Sequence, residues 1–594
     1  MVNRFRHLIN NKNIVQGVMF LLLIGLCVFA ESFGPILYNI EKVWDWKDAV
    51  TVICYASLYA GAFMAFMTLF NKYSYRILIV LLCVYSIFAY MNLLHYRALD
   101  TFFPLYMLKE TQQLNGLSDS IISLIHWYDC FYLIPFLLFI VICVVMKDKV
   151  LIEFNWMRHL IFTSIALMIV LIPVLYLNKI KALEFGKWHS GICHSVKLSP
   201  SSTYQQFGLL PIISYQISAG RTQNISLSEE DSSFISNHID TLLVRNKEYV
   251  KFGTSKQNVV IMLMESFNTN CINPQYMPTV YALCHEQTSL FFPKTRQLTH
   301  GGMSIGGQLM IMSGLHGLIN TPFCASYPLN RYPSVARELE EQNDSTFSYT
   351  VVSSDKYFWR QNEVSRSLGF DSVFDKDDGM ILRSSNGWAD DAEVFNLASS
   401  VLPNDSIPFC CLIVPSNMHA PYSRNNMISC DVTFENIDDA EVYEYFRRAR
   451  YLDEQVRKFI DVLKQKELYE STLIVITSDH QVPEKYCNAS LKLALSEYIP
   501  VVYVNTGIDR NELNQRNAEL VFCHSQVYPT ILQLMGISPK NYFGLFPSML
   551  DCNLAEEFDF DNLEYSDTSN KKLKAIYEVG EMIIRSGYFG TIVR

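Results

Sequence analysis

Residues 258–266 read NVVIMLMES, and this stretch decides how the rest of the chain is interpreted. Six consecutive apolar residues, from Val259 to Met264, are typical of a strand that is buried on both faces of a parallel sheet. The strand is followed by the carboxylate of Glu265 and the hydroxyl of Ser266. Because sheets of this kind bind their ligands beyond the carboxyl ends of the strands, Glu265 is a candidate site residue.

Four further segments predict strands of the same sheet, and helical patterns separate them. The predicted strands are Phe347–Val352, Pro408–Val414, Thr472–Thr477 and Ile499–Val504. The helical patterns include Asp438–Lys466 and Gln526–Met535. This alternation predicts a doubly wound α/β domain, with a central, mainly parallel sheet and helices on both faces.

Two of these predicted strands also lead into ionisable side chains. Asp479 and His480 follow the third strand, and His419 lies in the loop that follows the second. Taken singly, Glu265 could cap a helix and Asp479 could be a turn residue. Together, two carboxylates and an imidazole at one sheet edge form a ligand set that suits one divalent ion, either Zn, Mn or Mg.

The first third of the chain is apolar enough to cross a membrane several times. Five stretches approach the roughly 20 helical residues that span about 30 Å of hydrocarbon. They lie near Asn13–Phe33, Ala49–Phe70, Ile77–Leu94, Cys130–Met146 and Leu160–Leu177. Basic residues alternate between the intervening loops, which predicts a cytoplasmic N-terminus and an extracytoplasmic location for everything after Leu177. In an alternative interpretation the first stretch is a cleaved signal peptide.

The change in composition along the chain predicts three parts. Residues 1–177 form a transmembrane domain with five helices, residues 178–253 form a connector with helical segments, and residues 254–594 form the extracytoplasmic domain. The protein is therefore expected in the cell membrane as a multi-pass protein.

Charge and cysteine content exclude some classes of partner and site. The net charge of −10 gives no sign of the basic patch that phosphate-backbone binding needs, so nucleic acid is not an expected partner. The 15 cysteines include no Cys-x-x-Cys pair, which argues against a thiolate zinc site and leaves disulfides open.

Several segments together resemble the membrane branch of the alkaline phosphatase and sulfatase superfamily, which includes lipoteichoic acid synthases and lipid A phosphoethanolamine transferases. The segments that carry the resemblance are Met264–Ser266, Phe358–Arg360 with Ser367–Asp371, Asn417–Pro421, Ser478–His480 and Val527–Leu532. In that family a Glu and an Asp-His pair bind the metal ion. The resemblance implies that Glu265, Asp479 and His480 are the metal ligands.

The same resemblance implies a hydroxyl nucleophile that also binds the metal. Family members usually place a Thr at the start of a helix, a small residue three positions later and a Ser about nine positions later. Ser304 is identified as the nucleophile because Gly307 and Ser313 follow it at these offsets, and Thr299 is the runner-up. In the alternative interpretation Ser304 only caps a helix and turnover has been lost.

The resemblance also implies substrate contacts. His419 matches the substrate-side histidine of the family, and it could protonate a leaving alkoxide or bind a phosphate. Asp355, Trp359 and Arg360 are the candidates for head-group binding. The Arg falls one position earlier than in the family, so these residues could equally be a packed aromatic and a surface ion pair.

The activity that the resemblance implies is transfer of a phosphate-linked head group from a membrane phospholipid to an extracytoplasmic glycan, glycolipid or protein. Phosphatidylglycerol would supply glycerol phosphate, and phosphatidylethanolamine would supply phosphoethanolamine; the sequence does not choose between them. A membrane-anchored sulfatase or phosphodiesterase is one alternative, although Ser304 lacks the Ser-x-Pro-x-Arg setting of sulfatases. A degenerate member that only binds lipid or glycan is the other.

Overall fold

The structure is a computed structural model in which the chain forms two compact units. Residues 1–109 and 121–221 form the membrane unit, and residues 110–120 and 222–594 form the sheet unit. The residues that the structure describes are 12–37, 60, 70, 73–99, 102–103, 121–122, 124–145, 204, 209, 213, 224–247, 256–297, 303–318, 322–381, 388–403, 407–422, 433–551, 558, 560 and 571–592.

Three of the five predicted spans fall on described helices of the membrane unit. These helices are α1 (Lys12–Leu37), α2 (Ser74–Leu99) and α3 (Cys130–Val145). The stretches Arg76–Arg97 and Trp127–Val145 are long and apolar enough to cross a membrane, and the apolar part of α1, Val18–Phe29, is shorter. The predicted spans at 49–70 and 160–177 lie outside the described residues apart from two single positions, so the count of five spans stays a prediction.

A buried ion pair joins α2 to the start of α3. Arg97 donates from Nη2 to Oδ1 of Asp129 over 2.7 Å and from Nη1 to Oδ2 over 2.8 Å. Both charges are thereby paired, as charges near hydrocarbon must be. In contrast, apolar side chains such as Val84 and Leu137 are each 59% exposed on the outer faces of these helices, which suits contact with lipid.

The sheet unit contains one sheet of eight strands in the described residues. The strands are β1 (Asn258–Met264), β2 (Leu290–Arg296), β3 (Phe347–Val352), β4 (Ser372–Phe374), β5 (Phe409–Val414), β6 (Thr472–Ser478), β7 (Ile499–Val504) and β8 (Phe522–Cys523). Their order across the sheet is β4-β3-β5-β1-β6-β7-β2-β8. All neighbours are parallel except β7, which is antiparallel to β6 and β2. The predicted mainly parallel sheet is confirmed.

Helices cover both faces of this sheet. They are α4 (Glu229–Lys247), α5 (Pro278–Cys284), α6 (Met303–Ser313), α7 (Phe323–Ser326), α8 (Val335–Gln342), α9 (Gln361–Ser367), α10 (Asp391–Val401), α11 (Ala440–Gln465), α12 (Ala489–Ala494), α13 (Arg510–Glu519), α14 (Val527–Leu534) and α15 (Lys571–Ser586). One hydrophobic core lies between the sheet and α6, α8, α14 and α15. A second core lies between the opposite face and α5, α10 and α11.

Strand β1 contributes to both cores because successive side chains of a strand point to opposite faces. Val259, Ile261 and Leu263 belong to the first core, and the residues between them belong to the second. All seven residues of β1 are buried. Full burial of an aliphatic side chain contributes about 1.5–3 kcal/mol relative to exposure. Burial of the β1 side chains therefore contributes a large share of the free energy that stabilises the sheet unit.

The strand directions bring five loops to the same edge of the sheet. The strands β3, β5, β1 and β6 are consecutive neighbours and run parallel, so their carboxyl ends lie side by side. Strand β2 runs in the same direction, because two successive antiparallel pairings through β7 restore the direction of β6. The end of β2, with Gln297 directly after it, therefore lies at this edge as well.

Two adjacent cysteines on β5 illustrate the same alternation. Cys410 lies in the first core and Cys411 lies in the second, and both are buried free thiols. Burial raises the pKa of both thiols well above the usual range. They are therefore packed as small apolar residues.

Helix α6 approaches the end of β6 so closely that residue 307, which faces the backbone of Asp479, must be a glycine. A Cβ atom on Gly307 would lie 2.4 Å from the backbone oxygen of Asp479 and 2.9 Å from its carbonyl carbon. Both neighbours are backbone atoms, which cannot rotate away. The glycine thus sets the distance between α6 and the residues that follow β6.

We expect Gly307→Ala to destabilise the protein by about 1–3 kcal/mol, the usual range for overpacking, even though alanine favours helix. Gly317→Ala is the matched control, since a Cβ there would have its nearest neighbour 3.8 Å away. Thermal unfolding of the full-length protein in detergent measures both changes. Equal midpoints for the two variants would contradict the close approach of α6.

Candidate active site

The turn after β1 points Glu265 toward the end of β6. Ser266 has a φ of 50°, which is unusual for a residue with a side chain. Its amide donates to Oδ1 of Asp479 over 2.9 Å, and its hydroxyl donates to Oε1 of Glu265 over 2.8 Å. Tyr445 on α11 donates to the Ser266 carbonyl over 2.9 Å. These bonds hold the strained turn and link the two carboxylates.

Glu265, Asp479 and His480 form a buried cluster at this edge. One ligand atom from each lies within 4.8 Å of the others. Nε2 of His480 is 3.3 Å from Oε1 of Glu265 and 3.4 Å from Oδ2 of Asp479. The structure therefore brings together the three metal ligands that the sequence predicts.

The orientation of His480 is fixed by its other ring nitrogen. Nδ1 lies 2.7 Å from the backbone oxygen of Gln481, and a carbonyl oxygen only accepts, so Nδ1 carries a proton. In the neutral ring, Nε2 then presents its lone pair to the two carboxylates. The amide of Gln481 donates to Oε1 of Gln297 over 2.7 Å, which anchors this loop to the end of β2. A backbone carbonyl that accepts from the second ring nitrogen, as that of Gln481 does here, is the usual support of a metal-binding histidine.

Ser304 completes the cluster from the start of α6. Its Oγ lies 3.4 Å from Oε2 of Glu265 and 3.3 Å from Nε2 of His480. The hydroxyl is also at the N-terminus of an 11-residue helix, where backbone N–H groups attract anions. Thr299, the runner-up nucleophile, lies outside the described residues, as does His300.

The electrostatics of the cluster favour a positive charge among its carboxylates. Burial and the charge of Glu265 raise the pKa of Asp479 to about 7. Burial also acts to raise the pKa of Glu265, but the imidazoles of His480 and His419 hold it well below its usual range. The carboxylates of Asp479 and Glu265 overcome the burial of His480 and raise its pKa to about 9. A proton on His480 therefore takes the place that a cation would fill.

The donor set fits a divalent metal ion. Oδ2 of Asp479 is buried and makes no hydrogen bond, an expensive arrangement that a bound cation would relieve. Two carboxylate oxygens, one imidazole nitrogen and a hydroxyl form a mixed oxygen and nitrogen donor set that suits Zn, Mn or Mg. Glu265, Asp479, His480 and Ser304 are the residues that would hold the ion.

His419 lies in the loop after β5 and faces the same edge. Its Nδ1 is 2.6 Å from the backbone oxygen of Ala420, and its ring meets Trp388 edge to face at 5.3 Å between centroids. A positive charge on His419 lowers the pKa of Glu265. Asp391 fixes the start of this loop, because its Oδ1 accepts from the amides of Ser416 and Asn417.

The structure gives Asp355, Trp359 and Arg360 local contacts. Oδ1 of Asp355 accepts from the amide of Tyr357, and Arg360 donates to Glu363 over 3.1 Å. Trp359 packs against the first core. Trp359 and Arg360 have φ angles of 51° and 53°, and strained backbone of this kind is concentrated at functional sites. Their role in head-group binding stays a prediction.

Sequence reasoning missed Trp388 and Asp391, which lie around His419. The pair Asp390-Asp391 at the start of α10 looks like ordinary helix capping, and Asp390 does accept from the amide of Ala392. Trp388 has no pattern around it that points to a site. Only the fold brings its ring next to His419.

Two protein families match different parts of the chain. Residues 326–537 match the sulfatase family, and residues 5–184 match the family described as the lipoteichoic acid synthase N-terminal domain.

Curated relatives match both parts at once. The lipoteichoic acid synthase of Staphylococcus saprophyticus is 24% identical over 513 residues, which cover 81% of this chain and 76% of that protein. Lipoteichoic acid synthase 1 of Bacillus subtilis is 24% identical over 539 residues, which cover 84% of this chain and 81% of that protein.

A solved structure is similar over nearly the whole chain. It is the integral membrane protein lipooligosaccharide phosphoethanolamine transferase A from Neisseria meningitidis, with a TM-score of 0.50 and 14% identity. The similarity covers 88% of this chain and 96% of that one. At this identity the likeness shows the fold.

We expect Asp479→Asn to abolish stoichiometric binding of a divalent ion. In the wild type, an ion at 100 times its Kd adds about 2.7 kcal/mol to the free energy of unfolding, and the variant should lose this gain. Elemental analysis and thermal unfolding with and without Mn or Zn measure the two effects. Asp461→Asn, which alters an exposed pair with Arg457, is the control. Unchanged metal content in Asp479→Asn would exclude this cluster as the metal site.

We also expect ion binding near pH 7 to release between one and two protons, because His480 is protonated and Asp479 is partly protonated in the empty cluster, and both must lose their protons to bind. Protons and the ion compete for the same atoms, so the affinity rises with pH. Titration calorimetry in buffers of different ionisation enthalpy counts the protons. A binding enthalpy that is independent of the buffer would refute the expected release.

Proposed function

Since the chain belongs to the membrane branch of the alkaline phosphatase and sulfatase superfamily, we propose that it is a metal-dependent transferase of phosphate-linked head groups. The observation that carries the proposal is the position of Ser304, whose hydroxyl lies 3.3–3.4 Å from two of the metal-ligand atoms. A nucleophile beside an activating cation is the arrangement that covalent phosphoryl transfer needs.

In the proposed first step, the Ser304 hydroxyl gives up its proton to solvent, and its Oγ attacks the phosphorus of a phospholipid. The bond from phosphorus to the diacylglycerol oxygen breaks, and His419 donates a proton to that leaving oxygen. Ser304 then carries the head-group phosphate. A divalent ion held by Glu265, Asp479 and His480 lowers the pKa of the Ser304 hydroxyl and offsets phosphate charge when bound. The N–H groups at the start of α6 bind the phosphate oxygens.

In the second step, a hydroxyl of the acceptor attacks the same phosphorus. His419 takes the proton of this hydroxyl, so its protonation state returns to that before the first step. The bond between phosphorus and Oγ of Ser304 breaks, and the free hydroxyl is restored after it takes up a proton from solvent. The acceptor is a glycan, a glycolipid or a protein, and the reaction takes place on the extracytoplasmic side of the cell membrane.

Two phospholipids are proposed as donors. Curated relatives are lipoteichoic acid synthases, which favours phosphatidylglycerol and transfer of glycerol phosphate. The fold is also that of a phosphoethanolamine transferase, so phosphatidylethanolamine is the second donor to test.

We expect full-length protein incubated with Mn or Zn and labelled phospholipid to gain one head-group phosphate on Ser304. Ser304→Ala should lose the adduct, and Ser304→Thr should keep it, because the hydroxyl is retained. Ser399→Ala is a control, since that hydroxyl only bonds the Phe395 carbonyl within α10. Intact-protein and peptide mass spectrometry identify the adduct and its position.

The other outcomes each exclude part of the proposal. An adduct that survives in Ser304→Ala would move the nucleophile to another hydroxyl, with Thr299 first in line. Release of the head group to water with no transfer to any glycan would make the protein a hydrolase. Absence of adduct and of diacylglycerol, with metal bound, would refute phospholipid turnover.

A further inference from the structure

A buried side chain of α11, Arg448, binds the loop that carries His419. Arg448 is fully buried. Its Nη1 donates to the carbonyl of His419 over 2.7 Å and lies 3.5 Å from the carbonyl of Asn417. Its Nη2 donates to the carbonyl of Pro421 over 3.0 Å. One guanidinium thus contacts the carbonyls of Asn417, His419 and Pro421, which are every second carbonyl of the loop.

The guanidinium of Arg448 also binds a carboxylate of its own helix. Nε of Arg448 donates to Oε1 of Glu444 over 2.9 Å. Arg447 binds the same carboxylate through two bonds, of 2.8 and 3.0 Å. Glu444 therefore binds two guanidinium groups, and the other nitrogens of Arg448 donate to the loop carbonyls. Hydrogen bonds from a charged donor are roughly twice as strong as neutral ones.

These contacts leave the His419 ring little freedom. The guanidinium fixes the backbone of the loop, the Ala420 carbonyl accepts from Nδ1, and the edge-to-face contact with Trp388 fixes the plane of the ring. Asp391 fixes the preceding amides. Because Nδ1 is engaged with the Ala420 carbonyl, Nε2 is the ring nitrogen that the proposed proton transfer would use.

We propose that Arg448 is a positioning residue, which holds His419 in the geometry for proton transfer to and from the substrate oxygens. This inference rests on the proposed function, because His419 has a proton to move only if a head group is transferred. Arg448 itself touches no reacting atom. Its effect on the rate passes entirely through His419.

The test compares Arg448→Met and Arg448→Lys with wild type in the donor assay that shows turnover. We expect Arg448→Met to lower kcat on the order of 10- to 100-fold, with KM changed less than about 2-fold, because the loss of alignment affects the proton transfer and spares donor binding. Arg448→Lys should recover part of the loss, since one ammonium can still bond one or two of the carbonyls. Arg457→Met, on the exposed side of the same helix, is the matched control.

A double-mutant cycle separates positioning from general damage. In a His419→Ala background, Arg448→Met should have less than about a 2-fold further effect, because the group that it positions is gone. A full additional loss in that background would overturn the proposal. Hydrogen exchange of the peptide 415–422, with α6 as the internal reference, reports the loop directly. Faster exchange of this peptide alone in Arg448→Met supports the positioning role of Arg448, and unchanged exchange overturns it.

Failure of the proposed function would be visible separately. If wild type transfers neither head group with metal bound, the transferase proposal fails, and with it the role of Arg448 in catalysis. Arg448→Lys guards against a folding artefact, because it keeps a buried charge beside Glu444. If both Arg448→Lys and Arg448→Met unfold at the wild-type temperature, and both show wild-type kcat and wild-type hydrogen exchange, then Arg448 positions nothing.

Discussion

The complete burial of β1 is the constraint on which the rest of the sheet unit depends. A strand with no exposed residue must be covered on both faces and flanked by strands on both edges. The helices of the two cores and the neighbours β5 and β6 meet these requirements. A consequence is that the end of β1 lies in the middle of a row of parallel strand ends. Glu265 is therefore surrounded by loops that can carry partners for it.

The paired register of β1 and β6 explains why those partners fit. Met264 lies opposite Ser478, so the residues that follow each of them leave the sheet at the same level. The amide of Asp479 bonds the carbonyl of Met264 over 3.0 Å, which extends the ladder by one step into the site. Two carboxylates are thus held side by side in a buried setting where their mutual repulsion is unfavourable. The proton on His480 offsets this repulsion in part, and a cation bound between the carboxylates would offset it more fully.

The sequence predicted the parts of the fold that rest on local pattern. The apolar runs of β1, β5, β6 and β7 and the amphipathic pattern of α11 lie within one or two residues of their predicted bounds. Strand β2 was missed because Pro293 and Lys294 interrupt its apolar character, and half of its side chains are only partly buried. The antiparallel direction of β7 could not be read from its own residues, because direction depends on the neighbouring strand.

The same distinction holds for the site. Glu265, Asp479 and His480 could be predicted because each follows a strand end, and the family resemblance implied Ser304 through Gly307 and Ser313 at the expected offsets. Arg448 could not be, since Glu444 and Arg448 are spaced by four residues and resemble an ordinary surface pair on a helix. Its burial, and the loop that it binds, exist only in the folded chain.

The two neighbouring thiols of β5 can report local opening of the sheet unit. Cys410 and Cys411 face opposite cores, and in the closed sheet neither sulfur meets solvent. A small alkylating reagent can reach them only when the strand separates from its helices on the corresponding side. The relative rates at which the two sulfurs react would therefore measure how often each face of the sheet opens, face by face, under conditions in which the protein remains folded.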